Sequence, residues 1–120
     1  MVALARMVSV TLGLCDSLQR SGISVELIDP RTISPLDTAT ILKSVAKTGR
    51  LLIVEETPAA FGLGAEVAAQ ISDKGFNDLD APIRRVNGAF APTPYSPPLE
   101  SALVPSADDV KAAILDLMAE

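Results

Sequence analysis

The 120-residue chain is predicted to fold as an α/β domain, a mainly parallel sheet with helices on both faces. Three observations lead there. Apolar runs of strand character alternate with stripes at helical spacing, the pattern left by right-handed β-α-β crossovers. The run Leu51–Val54 is apolar without a break, as in a strand buried on both faces. Gly22, the Asp29-Pro30 pair and Gly49 fall at the boundaries between segments, where turn chemistry needs them.

The elements follow in order. Residues 2–5 (VALA) read as a short first strand, which leads to the expectation that the chain begins inside a longer protein. Residues 8–20 repeat apolar positions at helical spacing, Val8, Leu12, Cys15 and Leu18, and Gly22 ends that helix. Cys15 lies on the stripe and is expected to pack in the core. VELI (25–28) reads as a second strand stopped by Asp29-Pro30. Residues 35–49 read as a helix with Asp37 as N-cap, Leu36 and Ile41 as a hydrophobic staple, Lys43 and Lys47 in its C-terminal half, and Gly49 closing it. RLLIVEE (50–56) is the third strand. A helix rich in small residues spans roughly 64–74, with Ala65, Val67, Ala68 and Ile71 on its inner face. APIRRV (81–86) is the fourth strand. The last helix begins near Ser106, which forms a capping box with Asp109, and its stripe is Val110, Ile114 and Leu117.

Between the fourth strand and the last helix lies APTPYSPPLE (91–100), with four of the nine prolines and the only tyrosine. Prolines lack a backbone donor and fix φ, so this run reads as an extended, semi-rigid arm. Tyr95 and Leu99 offer apolar anchors on it, which fits a strap lying on its own domain or on a partner.

Composition excludes several functions. The net charge is −5 with ten scattered basic residues, which argues against a nucleic-acid binder, and no lysine-rich amphipathic face points to a membrane surface. The absence of histidine and the single cysteine argue against a zinc site of the usual ligands and remove the commonest general base. The single cysteine fits a reducing, cytoplasmic setting. Gly62-Leu63-Gly64 opens a helix and could bind an anion through its amides, but the third glycine of the dinucleotide fingerprint is missing and tight helix–sheet packing is the preferred reading. Glu55 and Glu56 point to opposite faces and make a poor shared-proton pair. One of them could cap the next loop or pair with Arg6, though a solvated strand end is the simpler expectation. Arg84 and Arg85 likewise diverge. Asp29 could orient Arg31 in a turn stiffened by Pro30 and Pro35.

Three segments together carry a resemblance: VELIDPRTISPLD (25–37), TGRLLIVEE (48–56) and APIRRVNGAFAPTPYSPPLE (81–100). In order and spacing they are similar to the C-terminal, transketolase C-terminal-like domain of the β subunit of thiamine-diphosphate-dependent 2-oxoacid dehydrogenases. This is the E1 component of pyruvate, branched-chain 2-oxoacid and acetoin dehydrogenase complexes. The resemblance covers nearly the whole chain, taken as one domain over 1–120. It implies a three-layer α/β/α fold with four recognisable strands in the order 2-1-3-4, lacking the family's outer antiparallel strand. It implies that thiamine diphosphate and magnesium serve the complete enzyme and are not bound by this chain alone. No catalytic, cofactor or metal ligand is assigned here, and the isolated chain is not expected to turn over substrate. The implied role is subunit assembly with the E1 α subunit and a second β subunit, and docking of the dihydrolipoyl acyltransferase core. Glu56, Phe61, Gly62, Gly64, Pro94, Tyr95 and Leu99 are the expected interface residues. Two other readings are an independent domain binding a small anion or nucleotide in a crevice lined by Arg6–Ser9 and Glu55–Phe61, and the C-terminal domain of a transketolase or deoxyxylulose-phosphate synthase type of enzyme.

Overall fold

A computed structural model describes residues 1–120. Its elements are β1 (Val2–Ala3), α1 (Arg6–Arg20), α2 (Thr38–Thr48), β2 (Leu52–Pro58), α3 (Leu63–Gly75), β3 (Arg84–Gly88), α4 (Pro97–Leu103) and α5 (Ala107–Ala119), with a single 3₁₀ turn at Phe76–Asp78. The three strands pair in parallel in the order β1-β2-β3.

The expected strand at 25–28 contracts to one parallel bridge, Ile28 to Val2, on the free side of β1. β1 is only two residues long, so it offers a ladder too short to hold more. The bridge still sits where the order 2-1-3-4 places it. The last strand starts at Arg84, not Ala81. Pro82 has no N–H to give a ladder, and the first cross-strand bond is the one Arg84 N–H donates to Leu51 O, 3.0 Å.

Period-two alternation in β1 and β2 divides the core. Ala3, Leu52 and Val54 join Met7 and Leu18 of α1 and Val110, Ile114 and Leu117 of α5. Val2, Leu51 and Ile53 join Ile41 and Val45 of α2 and Val67 and Ile71 of α3. The sheet is therefore sandwiched between two helical layers, a three-layer α/β/α arrangement.

The helix caps form as expected. The Asp37 side chain accepts the Thr40 N–H, 3.0 Å, and Gly49 ends α2 in the left-handed conformation. Ser106 and Asp109 exchange both bonds of the capping box. Hydroxyl donation from Thr40 and from Ser106 holds these two carboxyls below the usual aspartate range.

Two expectations are corrected. The buried stripe of α1 is Met7, Thr11 and Leu18, while Leu12 is 62% exposed and Cys15 only half-buried. Thr11 can be buried because its hydroxyl donates to Met7 O at 2.7 Å. The arm is non-helical only to Ser96, with bends at Ala91, Tyr95 and Ser96; Pro97 then starts α4. A helix tolerates proline in its first turn, where the N–H would have no partner anyway. The end of α4 returns to the sheet, where Ala89 N–H donates to Leu103 O at 2.8 Å.

Gly88 passes between these parts. A Cβ there would collide with the Glu56 carbonyl oxygen and come within 3.2 Å of Leu103 O, whereas a Cβ at Gly13 in α1 meets nothing. Urea unfolding should therefore show Gly88→Ala destabilised by about 1–3 kcal/mol and Gly13→Ala stabilised by about 1 kcal/mol.

Candidate functional site

The loops that follow parallel strands all leave the sheet at one edge. Here they are residues 4–5 after β1, 29–33 after the Ile28 bridge, the β2–α3 loop, and the arm after β3. Between the first three lies a crevice of about 510 Å³, walled by Leu4, Ala5, Ile33 and Leu63 and rimmed by Asp29, Arg31, Glu56 and Thr57. It is the topological switch point of the sheet.

The floor is organised by Glu55, which is only 2% exposed. The solvated strand end expected from sequence is thus half right. β2 and β3 fall out of register between Val54 and Pro58, where three residues of β2, Glu55–Thr57, face one of β3, Asn87. At this bulge Glu55 turns toward α3, on the Ile53 face, and Glu56 toward α1. Glu55 Oε1 accepts from the Gly64 N–H at 3.0 Å and from Asn87 Nδ2 at 2.7 Å. Its Oε2 accepts from the Thr57 hydroxyl at 2.6 Å. Glu56 pairs with Arg6 at 3.6 Å. Both roles offered from sequence are realised, one by each glutamate.

Gly64 packs tightly, since a Cβ would strike Glu55 and stand 3.0 Å from Ile53 Cγ2. The anion at this helix start is the chain's own carboxylate. That takes one of the Gly62–Gly64 amides on which the small-anion reading relied. The crevice is lined by Leu4, Ala5 and 29–33 where Arg6–Ser9 were expected, and only Glu55–Thr57 of the second expected segment line it. The 29–33 turn was visible in sequence as a rigid Asp-Pro-Arg unit: Arg31 N–H and Nη1 both bond the Asp29 carboxylate, at 3.2 and 3.0 Å.

The chain exposes several large apolar side chains. Phe61 is 101% exposed, Phe90 82% and Tyr95 106%, and Phe76, beyond α3, is 72%. These are all the aromatic residues of the chain, three phenylalanines and one tyrosine. Of the expected interface residues, Glu56 lines the crevice, Phe61 is exposed on the β2–α3 loop, Tyr95 and Leu99 stand exposed on the arm and α4, Gly62 and Pro94 are half-buried, and Gly64 is buried against Glu55. Phe90 was missed; it stands two residues past the end of β3, outside the ladder.

Residues 1–110 match the family described as "Transketolase, C-terminal domain". Similar curated proteins include the acetoin:2,6-dichlorophenolindophenol oxidoreductase subunit beta of Bacillus subtilis, 38% identical over 98% of this chain and 34% of the relative. The mitochondrial pyruvate dehydrogenase E1 component subunit beta-2 of rice is 44% identical over 92% of this chain and 30% of its own length. The corresponding mitochondrial subunit beta of Saccharomyces cerevisiae is 42% identical over 98% and 32%. The chain thus spans about a third of these relatives. A solved structure described as a split gene transketolase, inactive beta4 tetramer, superposes with a TM-score of 0.81 at 25% identity, over 98% of this chain and 37% of that one.

Removing the Glu55 side chain leaves the Gly64 N–H and the Thr57 hydroxyl without their acceptor and Asn87 Nδ2 with only the Thr57 carbonyl. Glu55→Ala should cost about 3 kcal/mol in urea unfolding, and Glu55→Gln, which keeps one acceptor oxygen, should cost measurably less.

Proposed function

The chain belongs to the transketolase C-terminal domain family, and from that premise we propose that it is the C-terminal domain of the β subunit of a pyruvate- or acetoin-type 2-oxoacid dehydrogenase E1 component. Its work in that enzyme is assembly: joining the β subunit to a second β and to the E1 α subunit, and offering surface to the dihydrolipoyl acyltransferase core. The observation that carries this reading is the placement of the aromatics. A core that needed ring area would have used it, yet every ring faces solvent, and three stand on loops at one sheet edge. Exposed aromatic anchors of this kind dominate the energetics of protein interfaces.

Thiamine diphosphate would supply the carbanion chemistry of such an enzyme. This chain does not fit it: the helix-start amide that a pyrophosphate would use is taken by a carboxylate, Glu55, which also repels phosphate. In this reading the cofactor belongs to the rest of the assembly, and this chain positions subunits around it in a reducing, cytoplasmic setting.

Two experiments test the proposal. In the complete β subunit, Tyr95→Ala with Leu99→Ala should reduce the heterotetramer seen by native mass spectrometry, with activity falling in step; unchanged mass and activity would overturn the assembly role. The chain alone, given thiamine diphosphate, magnesium and pyruvate or acetoin, should release no product. Turnover by the isolated chain would show that it carries a reactive centre of its own.

A further inference from the structure

We infer that Asn87-Gly88 is a site of spontaneous deamidation, held closed in the native fold by Glu55, and that its conversion loosens the sheet edge where the loops gather. The inference goes beyond the assembly reading and does not rest on it.

Sequence is the first support. The chain has two asparagines, Asn77 and Asn87, and only Asn87 is followed by glycine. In deamidation the backbone nitrogen of the next residue attacks the asparagine Cγ. Nδ2 leaves as ammonia and a five-membered succinimide forms. Water then opens that ring at either carbonyl, giving aspartate or isoaspartate. Nothing is oxidised or reduced, and solvent water is the only co-reactant. Glycine is the most permissive follower, because no Cβ hinders its nitrogen. Asn77 is followed by Asp78, whose side chain stands in the way.

The second support is how the site is held. Nδ2, the leaving group, donates to Glu55 Oε1 at 2.7 Å and to Thr57 O at 3.3 Å. Ring closure needs this side chain to swing over the following amide, so both bonds must break. Gly88 is buried, with Glu56 O and Leu103 O crowding the place a Cβ would take. The native fold therefore opposes the reaction. Its restraint ends abruptly, however. β3 stops at Gly88, β2 slips out of register beside Asn87, and no residue from Ala89 to Leu103 is buried. The bond from Ala89 N–H to Leu103 O closes that excursion. Segments with so little burial open locally without unfolding the whole domain.

The third support is the product. An aspartate at this position is ionised and has no hydrogen to donate. Its carboxylate would lie against Glu55, which is 2% exposed, and against the Thr57 carbonyl. Two carboxylates sharing one buried site repel each other. Isoaspartate instead adds an atom to the backbone, beside a Gly88 that has no room to shift. Glu55 also accepts the Gly64 N–H at the start of α3, so the disturbance passes to the loop between β2 and α3. The conversion runs one way, and it marks an aged chain by loosening this edge from below.

The experiment uses the 120-residue chain in warm, mildly alkaline buffer. Peptide mapping by mass spectrometry follows the replacement of amide by acid, and electron-transfer fragmentation resolves isoaspartate from aspartate. In concentrated urea, Asn87 should convert well ahead of Asn77. In native buffer Asn87 should still convert measurably, but at least about ten-fold more slowly, because only locally opened molecules react. Asn87→Asp should lower the Tm by about 10 °C. Asn87→Ala, which removes the donor without adding a charge, should lower it less. Glu55→Gln should recover part of the loss in the Asn87→Asp background, since a side-chain amide at position 55 can donate to the new carboxylate. Conversion of Asn77 ahead of Asn87 in urea, equal rates with and without urea, or a wild-type Tm in Asn87→Asp would each overturn the inference. If Asn87→Asp does not fold, the conversion rates of the wild-type chain decide. None of these measurements involves a partner, so their failure leaves the assembly reading standing.

Discussion

The structure turns on one buried carboxylate. Taking an ionised side chain out of water costs several kcal/mol unless hydrogen bonds replace the lost hydration. Glu55 receives three, from Gly64 at the start of α3, from Asn87 on β3 and from Thr57 on its own strand. Each donor belongs to a different part of the fold, so the carboxylate fixes their relative positions. Strand alternation puts it on the inner face with Leu51 and Ile53, the absence of a Cβ at Gly64 lets the helix approach, and the loop between them is left with Phe61 turned outward. The shape of the exposed edge is set from below by this group.

The aliphatic core has a consequence at the surface. Val, Ile, Leu, Met and Ala fill both layers, and the strand positions alternate strictly between them. Side chains of similar, modest size let helices sit evenly on a short three-stranded sheet. A ring in either layer would demand a local widening that close-packed interiors resist. The aromatics are therefore outside, where their area is available to another molecule.

What could be read from sequence divides along the same physical line. Features whose causes are local were legible: the Asp37 and Ser106–Asp109 caps depend on residues within three positions, and Leu51–Val54 announces burial on both faces by composition alone. Features with distant causes were not. Nothing near Glu55 in sequence shows that it is buried, because its decisive partners lie nine and 32 residues away. The phase of α1 was misjudged by trusting apolar residues only; Thr11, satisfied by its own helix, takes the inner position that Leu12 was assigned. The proline arm was read as extended throughout because proline density was weighed without regard to position, yet Pro97 and Pro98 stand in the one helical turn that accepts them. The crevice could not be drawn in full because 29–33 and 55–57 meet only through the parallel order of the sheet.

The edge so assembled has the properties of an interface more than of a small-molecule pocket. Ligand pockets usually present polar groups that await a partner, and their specificity comes from satisfying them. Here no buried side-chain polar atom lacks a hydrogen-bond partner. Asp29 and Arg31 satisfy each other, Arg6 and Glu56 pair, and Glu55 is fully engaged by the chain itself. A small polar ligand entering the crevice would find the floor carboxylate already engaged and would compete with Glu56 and Asp29 for the two exposed arginines. What remains unsatisfied is apolar area: the rings of Phe61, Phe90 and Tyr95 and the side chain of Ile33, all in water. Only a partner that covers area can relieve that, and a macromolecular surface does so without disturbing the polar network beneath.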